Sequence, residues 1–264
     1  MARAAFTQCT GFCRNLGQPG TFTADCVGLP AGRHQVPPER TSVVQDAGFA
    51  SSNGRRGDKT LMARSTIRDE WVGPGFAHVC VDMQRLFAAG TEWALPWMPR
   101  VLPNVVRLCE RDPARTVFTR FIPARRPGEG QGAWRRYYRR WASMTLDRIG
   151  ADMVELVPEL ARFVPPAEMV DKPVYSPWLG SDLDARLRAR RCDTLLITGG
   201  ETDMCVLSTV LGAADLGYRT ILVSDALCSA SDEAHDAMLD LFATRYGQHV
   251  ETATVDEVLE RLRG

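Results

Sequence analysis

The sequence predicts an α/β protein, a three-layer αβα sandwich built on a mainly parallel sheet of about six strands. Two observations lead there. From Phe76 onward, short β-like runs alternate with helical patterns of about 10 to 15 residues, the spacing of right-handed βαβ crossovers whose helices cover both faces of a sheet. The chain of 264 residues is 45% hydrophobic with an ordinary charged fraction, enough for one large domain with a buried core.

The elements follow in order. "FAHVCVD" (76–82), rich in β-formers, is the first strand, and the pattern over 99–111 is the helix that leaves it. "RTVFTRF" (115–121) is the second strand, followed by helical material over 131–148. "EMVDKPVY" (168–175) is the third strand and "SDLDARLRAR" (181–190) a helix. "DTLLITG" (193–199) is a fourth strand, 202–217 a helix, "RTILVSD" (219–225) a fifth strand and 231–245 a helix. "HVETAT" (249–254) and a helix from Val255 close the pattern. Residues 1–70 are rich in Gly, Ser, Thr, Pro and Arg without sustained periodicity. They are expected to be a poorly ordered extension ahead of a folded domain at 71–264, with Met62 a plausible true initiator.

Composition narrows the partners. The formal net charge is zero, so no basic footprint recommends a nucleic acid or an anionic membrane. No run approaches the roughly 18 apolar residues of a span, and "MARAAFTQCTGFCRN" lacks the apolar core of a signal peptide. A cytoplasmic protein acting on a small molecule with water is expected. The eight cysteines are scattered and expected to be reduced. Cys9, Cys13, Cys26 and His34 lack the paired knuckles of a zinc site, and no metal or cofactor is expected. Only Lys59 and Lys172 are lysines among 32 basic residues, which makes each of them worth explaining.

In such sheets function collects at the carboxyl ends of strands. Asp82 ends the first strand, Lys172 lies at the third, and Cys205 opens the helix after the fourth. A helix N-terminus presents unpaired N–H groups and a partial positive charge, which favours a thiolate. Thr202 or Asp203 is the expected N-cap, and the turn's amides can stabilise an oxyanion. Asp82 is the choice for base and later proton donor, with Lys172 as the cation that favours both anions. Each residue also has a bland reading: a core cysteine, a capping aspartate, a solvated lysine. Cys80, Cys109, Cys192 and Cys228 are expected to be structural.

"VDMQRLF" (81–87), "DKPVYSPWLGSDLDARL" (171–187) and "TGGETDMCVLSTVLGAADLGYRTILVSDA" (198–226) together resemble the three signature blocks of the isochorismatase-like cysteine hydrolases, in order and spacing, over about residues 72–262. The resemblance implies that family's fold and a catalytic triad of Asp82, Lys172 and Cys205. It also implies a cis peptide at Gly200–Glu201, with the N–H groups of Glu201 and Cys205 as oxyanion donors. The expected activity is amidohydrolysis of a small amide, carbamoyl or ureido compound through a Cys205 thioester. The alternatives are a nicotinamidase-like or isochorismatase-like hydrolase with an atypical pocket, and a thiol redox or binding protein on the same fold. Histidines occur only at 34, 78, 235 and 249, which disfavours a metal-assisted nicotinamidase. Cys205 argues against the vinyl-ether hydrolases that lack it.

Candidates for the substrate pocket are Gln84, Phe87, Trp93, Trp97, Arg120, Tyr175 and Trp178. Arg120 could read a substrate carboxylate or join a structural ion pair. Trp134, Tyr137, Tyr138 and Trp141 share one helix face, expected first to pack and otherwise to border the site or a subunit interface. Asp225 and Ser229 are expected to organise a loop. A homo-oligomer, dimer or tetramer, is expected.

Overall fold

The computed structural model describes residues 66–67, 75–88 and 90–262. The expectations for Met62, Lys59 and the Cys9, Cys13, Cys26 and His34 grouping lie outside these residues. The strands are β1 (Phe76–Val81), β2 (Thr116–Phe121), β3 (Glu168–Lys172), β4 (Thr194–Gly200), β5 (Arg219–Cys228) and β6 (Val250–Ala253). They form one all-parallel sheet in the order β3-β2-β1-β4-β5-β6. The chain steps outward from β1 to β3, then returns to the other side of β1 for β4. Winding therefore reverses between β1 and β4, and a crevice opens beyond their carboxyl ends.

The helices are α1 (Met98–Arg111), α2 (Ala133–Arg140), α3 (Leu146–Ile149), α4 (Pro158–Ala161), α5 (Leu183–Ala189), α6 (Leu207–Asp215), α7 (Asp232–Arg245) and α8 (Val255–Arg261). Alternation along β1 divides the core in two. Phe76 and Cys80 face the layer that holds Val101, Val105 and Leu108 of α1 with Val258 of α8. Ala77, Val79 and Val81 face Leu187 of α5, Val210 of α6 and Phe242 of α7. Sequential side chains point to opposite faces, so a fully apolar strand serves both layers. The Thr254–Glu257 capping box starts α8, and Ser231 caps α7. No helix among the described residues is long and apolar enough to cross a membrane.

Four details depart from the expected elements. The stretch 131–148 is not one helix: α2 stops at Arg140, and a short helical turn precedes α3. The third strand stops at Lys172 because Pro173 can donate no ladder bond. The fifth runs on to Cys228 past a register shift against β4. Thr66 and Ile67, inside the expected extension, dock on the domain: Thr66 N–H donates to Thr252 O at 2.9 Å along the edge of β6, and Ile67 packs on the core.

Two buried positions constrain the sheet centre. Gly199 has φ +101, and a Cβ there would come within 2.1 Å of the Val81 carbonyl oxygen, so β4 can approach β1 only as glycine. His78, 2% exposed, sits between Thr116 Oγ1 at 3.2 Å and Thr198 Oγ1 at 2.8 Å, and burial lowers its pKa to about 3. The ring is neutral at pH 7 and ties β1 to both neighbours.

Gly199→Ala is expected to destabilise the domain by about 2–4 kcal/mol in urea unfolding, since backbone rather than a movable side chain blocks the new methyl. His78 carries a lowered folded pKa, so the unfolded chain binds the extra proton below about pH 6.5. Its contribution is present above that pH and is lost progressively down to about pH 3, with a slope of at most about 1.4 kcal/mol per pH unit. His78→Asn should flatten that slope in unfolding curves taken across the interval.

Candidate active site

Asp82, Lys172 and Cys205 come from the ends of β1 and β3 and from the turn after β4, and they meet in the crevice at the reversal point. Lys172 extends past the end of β2, its Nζ 5.2 Å from the centroid of the Phe121 ring. The ammonium faces three acceptors: Asp82 Oδ2 at 2.7 Å, Val174 O at 3.1 Å and Cys205 Sγ at 3.4 Å. All three side chains are buried. The Nζ–Oδ2 contact is a fully buried ion pair in which Coulomb attraction and hydrogen bonding both favour the ammonium. Cys205 lies within hydrogen-bonding reach of that carboxylate. Thr119 Oγ1 donates to Oδ1 at 2.6 Å and holds the carboxyl plane. Asp82 itself sits at φ +48, left-handed backbone that turns its side chain out of the strand's alternation at a cost of about 1–3 kcal/mol.

Electrostatics sets the resting protonation. Burial works against the Lys172 ammonium, but Asp82 and Cys205 outweigh it and hold its pKa above the ordinary lysine value. Burial, then the Asp82 carboxylate, push the Cys205 thiol well above its usual range, with Lys172 pulling the other way. Both directions favour a neutral thiol beside a charged lysine at rest. From the sequence, a helix terminus and Lys172 are expected to favour the thiolate; burial and the Asp82 carboxylate outweigh them.

The turn explains why. Thr202–Val206 forms a widened π-type turn in which Val206 N–H reaches the Glu201 carbonyl at 3.0 Å, and α6 begins only at Leu207. Neither Thr202 nor Asp203 caps it, contrary to expectation. Thr202 Oγ1 donates to Cys228 O at 3.0 Å and lies 2.9 Å from His235 Nδ1, while Asp203 accepts from Ser229. Those bonds pin the turn to β5 and α7. The Gly200–Glu201 peptide that enters it is cis.

Cys205 opens into a cavity of about 280 Å³ whose aromatic wall is Phe87, Trp93, Phe121, Tyr137, Trp141 and Tyr175. Glu92, Glu201 and Asp203 supply its charged groups, and Met204 and Ala230 complete the rim. Among the described residues, no three His, Cys, Asp or Glu side chains stand together so as to hold a metal ion. His78 and His235 are both committed to threonine hydroxyls.

A sequence model of the isochorismatase domain matches residues 76–254. The chain belongs to the isochorismatase family. It is 37% identical over 114 residues to the uncharacterized isochorismatase family protein YwoC of Bacillus subtilis (strain 168), covering 43% of this chain and 58% of that protein. It is 25% identical over 218 residues to N-carbamoylsarcosine amidase of an Arthrobacter species, covering 79% and 74%. The crystal structure of a cysteine hydrolase from Pseudomonas syringae pv. phaseolicola 1448A superposes with a TM-score of 0.64 at 24% identity, over 76% of this chain and 99% of that one, and shows the same fold. The matched stretch thus spans little more than half the length of YwoC.

Of the pocket candidates, Phe87, Trp93 and Tyr175 line the cavity and the others do not. Gln84 is buried beneath it, its amide accepting from Phe121 N and donating to Phe121 O and Val154 O. Arg120 is held in ion pairs by Asp171 and Glu155 on the β3 side of the sheet. Trp178 stacks on Tyr218, donates Nε1–H to Thr209 O and presses on Gly212, where a Cβ would meet its ring at 2.1 Å. Trp97 packs on His235. The aromatic face of α2 is divided: Tyr138 is core, Trp134 packs on Tyr175, and Tyr137 lines the cavity with Trp141 just beyond the helix. Asp225 does organise a loop, accepting from Val255 N and Asn104 Nδ2. The acidic side chains of the cavity, Phe121 and Thr119 had no signal in the linear pattern, since each reads as an ordinary strand or turn residue.

Removing Lys172 alone strands a buried carboxylate. Lys172→Met is expected to cost about 3–5 kcal/mol in urea unfolding, and the double variant with Asp82→Asn to regain at least about 1 kcal/mol of that.

Proposed function

We propose that this chain is a cysteine-dependent hydrolase of a small amide, carbamoyl or ureido compound, acting through a Cys205 thioester. The single observation that carries the reading is the meeting of a buried thiol, carboxylate and ammonium beside a cavity that Cys205 lines. The family match and the similarity to an enzyme that bears the name N-carbamoylsarcosine amidase support the amide class.

The geometry permits a balanced cycle. Asp82 takes the Sγ proton as the sulfur attacks the carbonyl carbon, and the resting thiol becomes a nucleophile only when substrate is in place. Lys172 keeps its proton and offsets the negative charge, whichever of Asp82 or Cys205 carries it. The carbonyl oxygen, now anionic, is received by the N–H groups of Glu201 and Cys205. As the tetrahedral carbon collapses, the C–N bond breaks and the amine leaves with the proton held on Asp82. A water then adds to the thioester, Asp82 accepts its proton, and the C–S bond breaks. The acid departs, and the proton returns to Cys205.

Cys205→Ser should lower kcat/KM by at least about a thousandfold while leaving the fold intact, and Asp82→Asn should lower it as much at some cost in stability, because it strands the buried Lys172 ammonium. Lys172→Arg is expected to be comparably severe, since a planar guanidinium cannot face the same three acceptors from one nitrogen. Ammonia release from a panel of amides and ureides reads the rate, and mass spectrometry of quenched enzyme reads an acyl adduct on Cys205. A parent-like rate in Cys205→Ser overturns the reading.

A further inference from the structure

The cavity above Cys205 has a charge character that the chain as a whole does not share. Among the described residues its lining includes three acids, Glu92, Glu201 and Asp203, and no lysine, arginine or histidine. Among the described residues each has neutral donors: Ser143 Oγ for Glu92, the Ala230 N–H for Glu201, Ser229 Oγ for Asp203. None of the three pairs with a described lysine or arginine. Several acids elsewhere, Asp112, Asp147, Asp152, Glu155, Glu168 and Asp171, do meet arginines. In a protein of zero formal net charge and 32 basic residues, an unpaired acidic cavity is a local property of the site.

The wall beside those carboxylates suits a cation. Trp93, Tyr137 and Trp141 form a cluster with ring centroids 6.0, 6.1 and 6.4 Å apart, and such rings attract ammonium groups that reach their faces. Trp141 already takes a cation, the Arg140 guanidinium, 4.8 Å from its centroid. Arg136 and Arg140 line a separate hollow formed with Tyr137 and Trp141 and do not line the cavity. Low-dielectric aromatic walls focus the field of the carboxylates, so an anionic substrate is repelled and a cationic one concentrated.

We infer that the compound hydrolysed at Cys205 carries a cationic group, a substituted ammonium or an amine, seated against Trp93, Tyr137 and Trp141 with Glu92, Glu201 and Asp203 as its counter-charges. The substrate assignment rests on the hydrolase reading, whereas the preference of the cavity for cations does not. Bound there, the cation would also ease formation of the Cys205 thiolate, linking recognition to nucleophile activation.

The test has two arms. In the first, Cys205 is labelled with two methanethiosulfonates of similar size, one ending in trimethylammonium and one in sulfonate, with rates normalised to a free thiol and modification assigned by peptide mass mapping. At low ionic strength the cationic reagent should be favoured at least about thirtyfold, with the ratio shrinking as salt rises. Glu201→Gln and Asp203→Asn should each reduce that ratio at least about threefold. Equal rates, a faster anionic reagent, or a ratio untouched in both variants overturns the inference. In the second arm, kcat/KM is compared for betaine amide, its uncharged tert-butyl isostere and an isosteric carboxylate, each corrected for its base-catalysed rate. The cationic amide should lead the neutral one by at least about tenfold. Hydrolysis without charge preference sinks this inference and leaves the hydrolase reading standing. No hydrolysis of any amide, with the labelling preference intact, sinks the hydrolase reading and leaves the cation site.

Discussion

Lys172 and Asp82 meet at 2.7 Å with both side chains sealed from solvent, and taking two charges out of water is costly unless each finds further polar contacts. The contacts are supplied from separate parts of the chain. Thr119 reaches Asp82 from β2, the Val174 carbonyl reaches Lys172 from the loop after β3, and the third acceptor for the ammonium is Cys205 itself. The pair therefore holds β1, β2 and β3 to the turn after β4. It also acts on the thiol, whose pKa the Asp82 carboxylate pushes up together with burial while Lys172 pulls it down.

The sheet makes this meeting geometrically available. Because winding reverses between β1 and β4, no helix fills the space beyond their carboxyl ends, and side chains from both halves of the sheet can project into it. Gly199 lets β4 lie against β1 closely enough for the turn to face Asp82. Thr202 and Asp203 spend their side chains anchoring that turn to β5 and α7, which a simple N-cap would have prevented. The result is a π-type turn with Cys205 pointed at the ammonium.

Over this polar floor the protein places aromatic rings from five separate segments, Phe87, Trp93, Phe121, Tyr137 with Trp141, and Tyr175. Rings exclude water and strengthen every electrostatic interaction beneath them. The arginines of α2 stay outside, on the neighbouring hollow, while acids occupy the lining. Charge is thus sorted by sign across a single thin wall of Tyr137 and Trp141.

The sequence by itself determined the order of strands and helices, because each is a local pattern of apolar period and turn residues that needs no knowledge of distant partners. It also nominated Asp82, Lys172 and Cys205, since strand ends are local features and the scarcity of lysine is a matter of counting. It left Arg120 open between a substrate carboxylate and an ion pair, and nominated Gln84, Trp97 and Trp178 for a pocket whose cavity their side chains do not line. Gln84 spans three backbone groups, Arg120 two carboxylates, and Trp178 the bare face of Gly212. Only the tertiary structure decided which face each took. It alone decided, too, that the thiol would rest protonated and that the cavity would be acidic. Burial and the distance between charges far apart in the chain control both, and neither quantity exists until the sheet has closed around them.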